Sequence, residues 1–130
     1  MLSGNRFSII YLRVALAAGF LSAVASRLSL WGKHSSGWKG FVEYTAQVNS
    51  FLPSSWAATI AVISTVLETA LAVMLLTGIQ LKRAAFAAGV LTGFFALAMA
   101  ISSGIKEPLD YSVFAFSAGS FLLSGTTMLR

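Results

Sequence analysis

The chain has no cysteine, a single histidine, two prolines and only four acidic residues among 130 positions. Without cysteine there are no disulfides, no CxxC redox chemistry, no thiolate nucleophile and no thiolate-held cluster. One histidine cannot build a zinc or haem-iron site, which draws on several His, Cys or Met ligands. That residue, His34, lies among Lys33, Ser35, Ser36 and Gly37, which read as a solvated loop and leave any serine triad without a second member. The chain has no phosphate-cradling glycine loop, nucleophile elbow or HExxH motif. Charge is the scarcest commodity. Charged residues are 10% of the chain, against roughly 25% in soluble domains. Hydrophobic residues are 57% and the mean hydropathy is +0.82. Nine basic and four acidic side chains cannot coat a water-soluble globule of this size. A cytosolic domain, a disordered tail and a coiled coil are excluded, and the length allows one domain.

The net charge of +5 and pI near 10.1 do not point to nucleic acid, because the bases are scattered and only Lys82-Arg83 form a pair. They read as charges flanking membrane spans. Four apolar stretches lie between them, at about 7–27, 56–79, 84–105 and 110–129. Each matches the roughly 20 residues that carry a helix across about 30 Å of hydrocarbon. Arg13 interrupts the first stretch and Glu68 the second; the other two carry no charge beyond Asp110 at the start of the fourth. Ala23-Val24-Ala25 has the form of a leader cleavage site, but Arg13 breaks the preceding run, so this segment is read as a span.

The connections are punctuated. Pro53-Ser54-Ser55 opens the second span, with hydroxyls expected to cap free N–H groups. Gly78 closes it, and Gln80-Leu81-Lys82-Arg83 forces the second and third spans into an antiparallel hairpin. Gly104 and Lys106-Glu107-Pro108 separate the third and fourth spans, with Asp110 placed as an N-cap. Residues 28–52 form the long connection. Trp31 and Trp38 lie within it and Trp56 just beyond, so all three tryptophans fall at one membrane face as an aromatic belt. Phe41, Tyr44, Val48 and Phe51 recur at helical spacing, which predicts a short amphipathic helix on the membrane surface; an irregular loop is the alternative. The expected fold is all-α: an integral membrane four-helix bundle with a short interfacial helix between its first and second spans. Lys and Arg divide evenly between the two faces. Orientation with both termini cytoplasmic rests on the tight Lys82-Arg83 turn.

Arg13 and Glu68 are the residues to explain, because an ionised group at the bilayer centre costs at least about 2.5–3.5 kcal/mol. On a helical wheel Arg13 shares a face with Ala17, Phe20, Val24 and Arg27, while Glu68 shares one with Ala61, Ser64, Thr65 and Ala72. A polar site built from Arg13, Glu68, Ser64 and Thr65 is expected, with mutual neutralisation of the two charges as its simplest form. Backbone depths differing by roughly 8 Å leave two other arrangements open: Arg13 snorkelling to the interface, or Glu68 serving a ligand or proton. Neither is a catalytic assignment. Gly89 and Gly93 form a G-x-x-x-G, and Gly19 lies between Ala15 and Ala23 at the same spacing. These positions suit close helix packing within the bundle, with homodimer formation as the alternative. Ser117, Ser120, Ser124 and Thr127 line one face of the last span and are expected to turn inward.

In order along the chain, Arg13, Phe20-Leu21-Ser22-Ala23-Val24-Ala25, Arg27 and Leu30-Trp31-Gly32 resemble the DoxX family. So do Phe51-Leu52-Pro53, Leu67-Glu68, Leu75-Leu76-Thr77-Gly78, Ala96-Leu97-Ala98-Met99, Gly104-Ile105-Lys106 and Pro108-Leu109-Asp110-Tyr111-Ser112-Val113-Phe114. Ser26 departs from the family pattern, which has an acidic residue there. The resemblance implies four membrane helices in a bacterial inner membrane and association with membrane oxidoreductase complexes. The chain offers no ligand set for a redox metal, so no intrinsic cofactor is expected. A redox role would need an organic molecule such as a quinone, or a partner that transfers the electrons. The expected function is therefore an accessory or quinone-proximal subunit of a membrane oxidoreductase system. A small proton-coupled transporter using Glu68, and a structural membrane anchor for a partner, are the alternatives.

Overall fold

A computed structural model describes residues 2–127, with side chains described for residues 6–126. Among them the chain is helical throughout, without strands. The principal elements are α1 (Leu2–Arg27), α2 (Gly37–Val48), α3 (Ala57–Thr77), α4 (Leu81–Ser103), α5 (Lys106–Asp110) and α6 (Val113–Thr127). Single 3₁₀ turns at Gly32–His34 and Ser54–Trp56 precede α2 and α3. Three segments, Arg6–Arg27, Ser54–Thr77 and Leu81–Ser103, are long and apolar enough to cross a membrane. The apolar α6 spans 15 residues, short of the roughly 20 a crossing needs. The expected end of the fourth span at Leu129, the flanking Arg130 and the side chain of Thr127 lie outside the described residues.

Leu16, Ala17 and Phe20 of α1, Leu71, Ala72 and Leu75 of α3, Leu81, Ala84, Ala85 and Ala88 of α4, and Leu123 of α6 form one buried core. Five of the eleven are alanine, which lets the backbones come close. The opposite faces are just as apolar: Val62, Ile63, Val66, Phe94, Leu97, Ile101 and Leu122 are all exposed. α4 and α6 run antiparallel and in close contact. A Cβ at Gly89 would meet the Phe121 ring at 2.8 Å, and one at Gly93 would lie 3.3 Å from Ser117 Oγ. Ser117 Oγ donates to Gly89 O at 2.7 Å and Ser124 Oγ to Lys82 O at 3.1 Å, so inward hydroxyls hold the neighbouring backbone. Ser120 instead donates to Phe116 O on its own helix. Gly19 admits Phe116, whose nearest ring atom would lie 2.8 Å from an added Cβ. The same ring meets Phe20 edge-on at 5.0 Å. All three glycines thus receive α6 side chains from the same chain.

Several boundaries differ from the sequence reading. Asp110 does not cap α6. Pro108 fits the first turn of a helix, so residues 106–110 close a short helix of their own, in which Asp110 pairs with Lys106. The chain then turns at Ser112 (φ 58°), whose carbonyl accepts the Phe116 amide at 2.9 Å. Ser54 and Ser55 form a 3₁₀ turn without side-chain capping bonds. The helix in the long connection ends at Val48 with Asn49 as its C-cap, so Phe51 lies outside it and is exposed. Its inward face is Thr45 and Val48, both buried, with Phe41 half-buried beside them. α2 therefore packs against α3 and α4. Gly78 ends α3 in the left-handed region (φ 82°), its amide bonded to Met74 O at 2.8 Å.

Candidate functional site

The helical wheel places Arg13 and Arg27 on one face of α1, almost four turns apart. The antiparallel register against α3 gives them different partners. Arg13 lies beside the end of α3, where the last carbonyls have no intrahelical donor. Its Nε donates to Leu75 O at 2.9 Å and its Nη2 to Leu76 O at 3.2 Å. The cation faces the negative end of the α3 dipole, and Gly78 makes room: a Cβ there would come within 3.1 Å of Nη2. Glu68 lies two helical turns earlier, about 10 Å along the axis. The expected neutralisation of Arg13 by Glu68 is therefore corrected, because the helix end supplies Arg13 with nearer acceptors. Arg13→Leu should lower unfolding stability by about 1.5–3 kcal/mol, the scale of hydrogen bonds made by a charged group. Denaturant titration in mild detergent reads the loss, and Arg13→Lys should recover part of it.

The partner of Glu68 is Arg27. Arg27 Nη1 donates to Glu68 Oε2, forming an ion pair, and also to Thr65 Oγ1 at 2.9 Å. Both charged residues are buried, at 6% and 4% exposure. Thr65 Oγ1 donates in turn to Ala61 O at 2.8 Å. The Phe41 ring of α2 lies 3.7 Å from the Arg27 guanidinium carbon, a cation–π contact that covers one face of the cation. Of the expected polar group, the structure brings together Glu68 and Thr65, adds Arg27, and leaves Arg13 apart. Ser64 is buried on the same wall of α3.

A cavity of about 140 Å³ opens beside this pair, beneath α2. Arg27, Glu68 and Ser64 form its polar end, and Val48, Phe95, Met99 and Val113 its apolar walls, with Tyr44, Thr45 and Asn49 along α2. Tyr44 Oη donates to Glu107 Oε1 at 2.7 Å, linking α2 to α5. Partial burial, followed by this bond and the nearby carboxylate charge, raises the Tyr44 pKa. The phenol therefore stays protonated and able to donate throughout the neutral range; stability drawn from it is lost only as pH rises above the ordinary tyrosine value. Ser102 ties the end of α2 to α4, donating to Val48 O at 2.8 Å and accepting from the Ser50 amide at 3.2 Å. Ser26 Oγ accepts the Ser36 amide at 2.9 Å, and Trp31 Nε1 donates to Ser22 O at 3.1 Å, fixing the turn from α1 into α2.

Trp31, Trp38 and Trp56 are exposed around this end of the molecule, and His34 is exposed in its 3₁₀ turn. Among the described residues no group of three His, Asp or Glu side chains could hold a metal ion. The sequence reading missed Arg27 as a site residue by treating it as a flanking charge. The signal was its place on the Arg13 face, combined with the antiparallel register of α1 and α3. The chain matches no protein-family model, no curated protein and no solved structure.

Proposed function

We propose that the chain is an integral membrane protein of the DoxX type, serving as an accessory, quinone-proximal subunit of a membrane oxidoreductase system. In this reading α1, α3, α4 and α6 form the membrane bundle, with α2 at one face, in a bacterial inner membrane with both termini cytoplasmic. Three helices of spanning length and apolarity support it, as do outward faces rich in exposed aliphatic and aromatic residues. A soluble monomer rarely exposes apolar patches beyond a few hundred Å². The tryptophans at the α2 end suit the headgroup level.

The observation that carries the functional half is the buried Arg27–Glu68 pair with a cavity beside it. Intramembrane charges of this kind mark functional sites. With no cysteine and one histidine in the sequence, electrons would pass through a bound organic molecule or a partner protein. The Arg27 partnership weighs against a transport cycle in which Glu68 loads and releases protons on its own. Purification at native expression from native membranes in mild detergent tests the reading. The protein should resist alkaline extraction and bring quinone or a dehydrogenase with it. Extraction into plain buffer, or recovery with neither companion, would overturn it.

A further inference from the structure

The Arg27–Glu68 pair leaves hydrogen-bonding capacity unused. Arg27 engages only Nη1 within the described residues, and Glu68 only Oε2. Nε and Nη2 of Arg27 and Oε1 of Glu68 make no hydrogen bond there. Yet no sealed side-chain nitrogen or oxygen among the described residues lacks a partner, so these atoms are not fully enclosed, and both residues line the cavity. Phe41 covers one face of the guanidinium, which leaves its remaining N–H groups to act in the plane of the group.

We infer that this cavity binds an uncharged, ring-sized molecule bearing a carbonyl or phenolic oxygen, which accepts from Arg27 or donates to Glu68. Size supports a single ring: a cavity of about 150 Å³ holds benzene, and this one measures about 140 Å³. Val48, Phe95, Met99 and Val113 supply apolar contact, and methionine adapts to the shape of a guest. Charge excludes ionic guests. The pair is neutral in sum, so an anion at the free Arg27 N–H groups would add a net buried charge beside the Glu68 carboxylate. A cation at Glu68 Oε1 would add one beside the guanidinium. Either carries the penalty of an uncompensated buried charge. A neutral oxygen occupies the unused sites without disturbing the pair. The inference rests on the membrane reading above and names the chemical class of ligand at its site.

The test uses the full chain in detergent micelles and three fluorinated rings of one size: 4-fluorophenol, fluorobenzene and 4-fluorobenzoate. Fluorine NMR line broadening reports binding, and Val113→Phe, which fills the cavity from a half-buried position, subtracts partition into the micelle. Met99→Phe provides the same control from α4 should Val113→Phe fold poorly. Saturable broadening by 4-fluorophenol is expected, at least tenfold tighter than by either other ring and lost in the filled variants. Equal binding of fluorobenzene or 4-fluorobenzoate, or broadening that survives both filled variants, would overturn the inference. Absence of fluorophenol binding in a protein that copurifies with a dehydrogenase would overturn this inference alone. Fluorophenol binding without any copurifying quinone or dehydrogenase would uphold it while removing the oxidoreductase role.

Discussion

Arg27→Ala should destabilise the folded protein by about 3–5 kcal/mol, the cost of leaving a buried charge without its partner. Glu68→Ala should fall in the same range, because Arg27 is then the stranded group. Glu68→Gln should do only slightly better: an amide oxygen still accepts from Nη1, but the cation is left uncompensated. The double variant Arg27→Met/Glu68→Leu should be less damaged than either alanine variant, since apolar side chains of similar volume avoid the desolvation of two charges. Unfolding of each protein in one mild detergent, followed by circular dichroism, gives the comparison. The double variant is informative for function as well, because it keeps the helices packed while removing every hydrogen-bonding group that the pair presents to the cavity.

The second large effect is expected where α4 meets α6. Gly89→Leu should cost about 2–4 kcal/mol, combining overpacking with loss of a buried hydrogen bond. The Phe121 ring already occupies the space a Cβ would take, and the Ser117 hydroxyl bonds to Gly89 O at 2.7 Å. Gly93→Ala should be nearly neutral. Its Cβ would lie 3.3 Å from one hydroxyl oxygen, a small crowding set against the gain in helix propensity of roughly 1 kcal/mol for replacing glycine by alanine. Thermal unfolding of the two variants side by side separates a glycine required by a ring from one that merely faces a hydroxyl.

The contrast between these two sites shows what the sequence could and could not convey. The long helices were legible because charges, Gly78 and Gly104 mark their limits, and helical periodicity marked α2. Gly89 and Gly93 were legible as packing positions from spacing alone. That Gly89 receives an aromatic ring was not, since nothing in G-x-x-x-G says which side chain lies opposite. Asp110 looked like a cap because Pro108 reads as a separator between spans, although it equally suits the first turn of the short helix that residues 106–110 close before the turn at Ser112. The polar site was half legible. Glu68 stands out as the acid within an apolar run, and Thr65 shares its face. Its partner was misassigned because Arg13 is conspicuous inside a span and Arg27 is not at the end of one. Register decides between them: pairing Arg13 with the carbonyls of Leu75 and Leu76 sets the offset that brings Arg27 to Glu68. Register depends on the geometry of the α1–α2–α3 connection, including the Ser26–Ser36 and Trp31–Ser22 bonds, and composition does not encode it.

Two double-mutant cycles in the same detergent, one coupling Arg27 to Glu68 and the other Arg13 to Glu68, test that assignment most directly. The account predicts a coupling above about 1.5 kcal/mol for Arg27 with Glu68, and additivity within about 0.5 kcal/mol for Arg13 with Glu68, as expected for groups without a shared partner. Strong coupling of Glu68 to Arg13, with additivity between Glu68 and Arg27, would contradict it.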